Sequence, residues 1–209
     1  MSRPAIYNRP AGKPMFIHRR RREIDAPAPD VKNLAQPVTV DKATECHVTP
    51  DDVAARMVDY LGPVGDFATL EPSAGTGQLA RALLASGHSK HELTLIERHN
   101  TLASGLHGLG PVINRCFLEF AEDARGKVEF ARVIMNPPFR QCRAHIKAAL
   151  SLMGQCGHDE PATLVALVPV TFQHDDAVEL ERLPDDTFAL ARVNTKIIRI
   201  EKEGERDDH

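Results

Sequence analysis

The sequence predicts an α/β protein with a doubly wound, mostly parallel sheet of seven strands that ends in an antiparallel hairpin. Three observations support this prediction. Short apolar runs alternate with amphipathic segments of helical period over most of the chain. A loop with two glycines separates the first apolar run from the helix that follows it. The last two apolar runs lie too close together for a helix between them, which is typical of a hairpin.

The first predicted helix begins after Thr49, a residue type favoured as an N-cap, with Pro50 in its first turn and Leu61 at its end. Apolar residues recur along it at spacings of three and four, as in a helix with one buried face. Further helices are predicted at 78–85 and 141–153, and residues 98–110 are left as a helix or a loop. The predicted strands are 67–70, 92–96, 112–118, 130–135, 163–168, 188–193 and 196–200.

Composition excludes several classes of protein. Hydrophobic residues make up 42% of the 209 positions and charged residues 26%, as in soluble globular proteins. No apolar run reaches membrane-spanning length, and the first ten residues lack the core of a signal peptide. The four cysteines form no CxxC pair, which indicates reduced thiols in a cytoplasmic protein and predicts no metal site.

Charge and proline content divide the chain into three parts. Residues 1–40 hold eight basic and three acidic side chains and six prolines, so the rest of the chain carries a net charge of about −8. We therefore expect a basic, mostly disordered arm at 1–46, one folded domain at 47–202 and a charged tail at 203–209.

Four consecutive arginines in the arm are candidate phosphate contacts. They are Arg19, Arg20, Arg21 and Arg22. Each contact between such a cation and a nucleic-acid phosphate would add salt-dependent affinity without sequence preference. A solvated tail is the simpler explanation, and the sequence leaves the choice open.

A stiff turn, Asn136-Pro137-Pro138-Phe139, follows the strand predicted at 130–135. Two consecutive prolines remove two backbone donors and fix φ, so neither a strand nor a helix continues through them. The turn therefore holds an amide and an aromatic ring at the carboxyl end of a strand. Open α/β sheets bind their ligands at that edge.

A second ligand-binding element is predicted at Gly75 and Gly77, which follow a strand and open a helix. Their backbone N–H groups and the positive end of the helix favour a carboxylate or phosphate on a bound cofactor. Glu97 ends the next strand, where a carboxylate can bridge two ribose hydroxyls, although a solvated acid is the alternative. A classical NAD loop is disfavoured because Ala80 occupies the third glycine position.

Together the two elements resemble sequence motifs of the S-adenosylmethionine-dependent amino methyltransferases. The matching stretches are Glu71-Pro72-Ser73-Ala74-Gly75-Thr76-Gly77 and Asn136-Pro137-Pro138-Phe139, and the match covers roughly residues 47–172. The order of the motifs is most similar to that of the adenine-N6 DNA methyltransferases. The resemblance implies a Rossmann-like methyltransferase fold, with 47–202 as the catalytic domain, S-adenosylmethionine as cofactor and DNA as substrate.

The resemblance also implies roles for individual residues. Asn136 and the carbonyl of Pro137 would accept hydrogen bonds from the target amine within a turn completed by Pro138. Phe139 would stack on an extruded base, and Arg140 could meet a phosphate. The implied cofactor-binding residues are Thr49, Pro50, Glu71, Ser73, Ala74, Gly75, Gly77, Glu97, Cys116, Phe117 and Asn136. By contrast, His145 is expected to be a half-buried helix residue.

Two departures from the family leave alternatives open. The family's acidic residue for the cofactor's adenine falls on Cys116, with Glu119 and Asp123 as displaced candidates. Because no separate target-recognition domain is evident, specificity is expected to be low, to come from the arm, or to come from a partner protein. The alternatives are an amino methyltransferase acting on RNA or a protein glutamine, and an inactive cofactor-fold subunit that binds nucleic acid or protein.

Overall fold

A computed structural model describes residues 48–188 and 193–203. The predictions for residues 1–46, including Arg19 to Arg22, and for 204–209 lie outside the described residues. The helices are α1 (Asp51–Leu61), α2 (Gln78–Ala85), α3 (Asn100–Leu106), α4 (Phe117–Ala124) and α5 (Cys142–Leu150), with a 3₁₀ turn at Phe139–Gln141. The strands are β1 (Thr69–Pro72), β2 (Leu93–Ile96), β3 (Val112–Ile113), β4 (Arg132–Met135), β5 (Ala162–Pro169), β6 (Val178–Leu183) and β7 (Thr195–Lys202).

These strands form one seven-stranded sheet in the order β3-β2-β1-β4-β5-β7-β6. Neighbours are parallel from β3 to β5, whereas β7 runs antiparallel to both β5 and β6. The predicted α/β class is therefore confirmed, with its mostly parallel sheet and antiparallel end. Because the parallel strands point the same way, the loops after β1, β2 and β4 meet at one edge of the sheet.

Helices cover both faces of the sheet. On one face α4 and α5 pack on Leu70, Val133 and Met135. On the other face α1, α2 and α3 pack on Ile134 and Val165. Successive residues of a strand point to opposite faces, so an inner strand buried on both faces is mostly apolar, as β5 is from Leu164 to Val168. Among the described residues, no helix has the length and apolar composition needed to cross a membrane.

The strand predicted at 112–118 is wrong beyond Ile113. The chain leaves the sheet at Asn114, whose side chain donates to the Glu97 carbonyl oxygen (2.8 Å). Phe117 then begins α4, which buries Phe117, Ala121 and Ala124. That spacing is helical, but only three residues separate α4 from the two-residue strand β3, so the two short elements were predicted as one strand.

The partner of β7 in the hairpin was also placed wrongly. Residues 188–193 were predicted as this strand, although 189–192 lie outside the described range. The strand that pairs with β7 is β6, in a part of the sequence where no strand was predicted. Most of its side chains are exposed or half-buried, so hydrogen bonding to β7 rather than burial determines this edge strand.

The first strand lies two residues further along than predicted, and it includes Glu71 and Pro72. The pairing of β1 with β4 extends only from Thr69 to Leu70, whereas its pairing with β2 continues to Pro72. The proline, which has no backbone N–H, therefore lies where the ladder is one-sided and costs little. This shift places the carboxyl group of Glu71 at the ligand-binding edge.

Candidate active site

A cleft of about 850 Å³, measured to its open mouth, lies at the carboxyl edge of the sheet. Ten residues predicted from sequence line it: Thr49, Glu71, Ser73, Ala74, Gly75, Glu97, Cys116, Phe117, Asn136 and Pro138. Five others, each next to a lining residue in sequence, do not: Pro50, Gly77, Pro137, Phe139 and Arg140. The structure thus brings the glycine loop and the proline turn to one cavity.

The loop after β1 is built from left-handed backbone conformations. Ser73, Gly75 and Gly77 have φ values of 62°, 56° and 83°. The Ala74 amide donates to the Ile96 carbonyl oxygen (2.9 Å), which ties the loop to the end of β2. Ser73 is not a glycine and is therefore strained there, so the surrounding contacts must hold the loop in place.

Glu97 is a buried carboxylate held by backbone donors. It is 5% exposed. Its Oε2 accepts from the Gly75 amide (2.8 Å), and its Oε1 accepts from the His99 amide (2.7 Å). Because its Oε2 accepts from the Gly75 amide, Glu97 also fixes the glycine loop. Each carboxylate oxygen has a second lone pair through which it can accept from a hydroxyl group.

Glu71 is the most perturbed acid in the cleft. It is 2% exposed, and its Oε2 has no hydrogen-bond partner within the described part of the chain. Burial raises the pKa of Glu71 to about 8; Glu97 adds to this effect, and Arg81 and the Ala80 amide oppose it. A buried oxygen without a partner is costly, so this position favours a ligand that brings a cation or a donor.

The Asn136 amide is oriented by a residue far away in sequence. Its Nδ2 donates to the Thr49 hydroxyl oxygen at 3.0 Å, across 87 positions. The prediction that Thr49 caps α1 was wrong: the capping position is Pro50, and no side chain caps it. Thr49 lies instead 5% exposed in the cleft wall. The hydrogen bond ties the Asn136 side chain to the segment just before α1.

Cys116 lies at the N-cap position of α4 and lines the cleft, partly exposed. The two displaced acidic candidates do not replace it. Glu119 and Asp123 pair with Arg115, at 3.7 Å and 2.7 Å, and their side chains are exposed. Neither acid lines the cleft, so at this position the cavity presents a thiol and the start of a helix.

The burial of His145 was underestimated from sequence. The side chain is buried rather than half-buried, and it lines the cleft. Its Nδ1 lies 3.4 Å from the Ser73 hydroxyl, and its ring packs against Phe117. Burial, with the nearby Arg98 cation, lowers the pKa of His145 to about 4, so the imidazole is neutral at pH 7. Spacing on α5 could have suggested an inward side chain, but only packing against α4 shows it.

Other lining residues also escaped the sequence analysis. They are close in sequence to residues that were predicted, or follow them on the next helical turn. They are Val48, Thr76, Gln78, Leu79, Ile96, Arg98, His99, Leu102, Arg115 and Gln141. The described residues hold no group of three or more His, Cys, Asp or Glu side chains placed to bind a metal ion.

We expect Gly77→Ala to destabilise the protein by about 1–2 kcal/mol, because an L-residue is strained in a left-handed conformation. Gly77 has φ +83°, and an added Cβ would lie 2.6 Å from Leu106 Cδ2 and 2.8 Å from Leu109 Cδ1. Urea unfolding measures the effect. Gly108→Ala is the matched control, since its Cβ would meet no atom within 4 Å. Equal stability of the two variants would contradict the prediction.

No family model matches this sequence, and neither does any curated protein. Solved structures do share its fold. The 23S rRNA methyltransferase ErmE aligns with a TM-score of 0.58 and 19% identity, over 74% of this chain and 68% of that one. The type I restriction-modification system methyltransferase subunit from Streptococcus thermophilus aligns with a TM-score of 0.59 and 17% identity, over 76% and 44%.

TrmN from Thermus thermophilus aligns with a TM-score of 0.54 and 11% identity, over 73% of this chain and 48% of that one. The chain thus spans about two thirds of ErmE and less than half of the other two proteins. At these identities the likeness establishes architecture. The chain has the Rossmann-like methyltransferase fold.

Proposed function

We propose that this protein transfers a methyl group from S-adenosylmethionine to the exocyclic N6 amine of adenine in DNA. The observation that carries the proposal is the meeting of two elements in one cleft. The glycine loop with Glu97 forms one part of the wall, and Asn136 with Pro138 forms another. The proposed cofactor site and the proposed amine-binding turn therefore share one cleft, as transfer between two bound reactants requires.

The residues present fit the cofactor. The unpartnered Oε2 of Glu71 suits a cationic group, such as the ammonium of the cofactor's amino-acid part. Glu97, held by the Gly75 and His99 amides, suits the ribose hydroxyls. The thiol of Cys116 and the ring of Phe117 also line the cleft, and we assign them to the cofactor's adenine. When bound, S-adenosylmethionine supplies an electrophilic methyl carbon on a sulfonium.

The chain's own residues act on the amine. An exocyclic amine conjugated with its ring is a poor nucleophile. The Asn136 side-chain oxygen and the Pro137 carbonyl can accept hydrogen bonds from it, which draw the nitrogen toward tetrahedral geometry and make its lone pair available. The hydrogen bond with Thr49 restricts the motion of the Asn136 side chain before the base arrives. This is preorganisation, an electrostatic contribution to catalysis.

Phe139 is proposed to stack on the extruded base. Its ring is partly buried and packs edge-on against Phe188, with 6.3 Å between the ring centroids. Stacking on an aromatic ring is worth about 1–3 kcal/mol per base, comparable to the cost of unstacking. Arg140 and the arginines at 19–22 are proposed to contact phosphates.

Incubation with S-adenosylmethionine carrying a tritiated methyl group tests the proposal. Duplex DNA, single-stranded DNA, RNA and protein are offered separately, and labelled DNA is digested to nucleosides. Label in N6-methyladenine from DNA supports the proposal. Label only in RNA or protein overturns the choice of substrate. Cofactor binding without transfer to any of the four would favour an inactive subunit.

RNA is the second candidate substrate, because one structural neighbour is a 23S rRNA methyltransferase. Another neighbour is a methyltransferase subunit of a restriction-modification system. That likeness supports a partner protein as the source of sequence specificity. Adding a candidate specificity protein to the labelling assay tests this: label confined to one DNA sequence in its presence alone supports the partner.

A further inference from the structure

The helix that follows the proline turn has a cationic outer face. Arg140, Arg143 and Lys147 are exposed and lie three and four residues apart, so they share one side of the 3₁₀ turn and α5. The opposite side of α5 is buried, through Cys142, His145, Ile146 and Ala149. We call Arg140, Arg143 and Lys147 the cationic face.

The segment that carries this face differs in charge from the rest of the domain. Residues 130–158 contain no aspartate or glutamate, whereas the chain beyond residue 40 carries a net charge of about −8. Neither Arg143 nor Lys147 forms an ion pair with a described residue. By contrast, Arg56, Arg115 and Arg182 elsewhere on the domain are paired with acids. The positive charges of Arg143 and Lys147 are therefore not cancelled by acids on their own helix.

The cationic face also adjoins the candidate active site. The same helix lines the cleft through His145, and Gln141 lines it from the preceding turn. The Arg143 guanidinium carbon lies 5.7 Å from the centre of the Phe172 ring, just past the end of β5 and therefore at the same edge of the sheet. A strand bound along this face would thus pass beside the cavity that is proposed to receive its base.

We propose that the cationic face binds the phosphate backbone of the nucleic-acid strand that carries the target base. With a rise of about 1.5 Å per residue, Arg140 and Lys147 lie about 10 Å apart along the helix. Along the duplex axis one strand carries a phosphate about every 3.4 Å, so the face matches the axial rise of about three phosphates. This inference rests on the proposed function, because it assumes a nucleic-acid substrate.

The experiment compares two charge reversals in the full-length protein. Arg143→Glu/Lys147→Glu alters the cationic face. Arg125→Glu/Lys127→Glu makes the same change of charge at exposed positions after α4, on no surface assigned a role. Fluorescence anisotropy measures binding to duplex DNA, single-stranded DNA, RNA and polyglutamate between about 50 and 200 mM salt. Circular dichroism and cofactor titration check that both variants fold and keep their cleft.

We expect the Arg143/Lys147 reversal to weaken binding to the nucleic acid that the wild type prefers by at least about tenfold. The slope of log affinity against log salt should fall by about 1.8 for a duplex or about 1.4 for a single strand, the value for two lost phosphate contacts. The Arg125/Lys127 reversal should stay within about twofold of wild type on the same reasoning.

Equal losses in the two variants, or no loss in the first, would overturn the inference. So would a loss confined to polyglutamate, which would assign the face to an acidic protein. If the wild type methylates nucleic acid while the Arg143/Lys147 reversal binds normally, only this inference fails. If the wild type neither binds nor methylates any of the nucleic acids, the proposed function fails with it.

Discussion

Asn136→Ala should reduce methyl transfer by at least about 10²–10³-fold, the loss seen when one preorganised hydrogen-bonding group is removed from an active site. Cofactor affinity should change by no more than about threefold, because Glu71 and Glu97 are unchanged. A threefold change in affinity corresponds to about 0.7 kcal/mol of binding free energy. Single-turnover transfer measures the first quantity, and calorimetric titration with cofactor measures the second.

Asn100→Ala is the matched control, because Asn100 is an exposed amide at the start of α3 that does not line the cleft. It should retain wild-type transfer. Thr49→Val removes the oxygen that accepts from Asn136 Nδ2 and should give a smaller loss of transfer than Asn136→Ala. Equal loss of transfer and cofactor binding in Asn136→Ala would mean that the turn is structural.

Binding of S-adenosylmethionine should release about one proton from Glu71 near pH 6 to 7. Burial raises the pKa of Glu71 to about 8, so the empty cleft holds a protonated carboxyl group there. A cationic ligand binds the ionised form better, so the observed affinity should rise about tenfold per pH unit below this pKa and then level off. Calorimetry in buffers of different ionisation enthalpy counts the protons released.

Glu71→Gln should abolish both the proton release and the pH dependence, because the amide resembles the protonated acid but cannot ionise. Glu122→Gln, an exposed change on α4 away from the cleft, should keep both. A Glu71→Gln variant with unchanged proton release would place the titrating group elsewhere.

The raised pKa of Glu71 also predicts how the stability of the ligand-free protein depends on pH. The folded pKa of about 8 lies above the ordinary value of 4.5, so the folded state keeps a proton that the unfolded state has lost. Stability therefore falls as pH rises through this window. The free energy of unfolding of Glu71→Gln, measured against pH, should lack this component of the decline. A decline as steep as in the wild type would contradict the assignment.

Local backbone chemistry explains why so much of the cleft could be predicted from sequence. Two consecutive prolines, such as Pro137 and Pro138, end a strand. Gly75 and Gly77 permit the left-handed turns that the structure contains. Because parallel strands share a carboxyl edge, two such stretches in one sheet must lie close together. Glu97 could be predicted as a site residue because it lies at the end of a strand.

The features that could not be predicted from sequence depend on partners that are distant along the chain. Thr49 has a residue type suited to a helix cap, but its hydroxyl bonds to Asn136 instead. His145 is buried because α5 packs against α4, and the spacing of residues on α5 does not reveal that neighbour. β6 is a strand because β7 pairs with it, although its exposed side chains resemble those of a loop. Such choices follow from tertiary context.

The position of β7 affects how a newly made chain can assemble. β7 is the last strand described, but it lies inside the sheet, where all eight of its residues pair with β5. Until the ribosome has made Ile198 and Ile200, which are part of the core, one edge of β5 has no partner. Until β7 has been made, the nascent polypeptide therefore displays the open edge of an apolar strand, which favours aggregation and capture by chaperones.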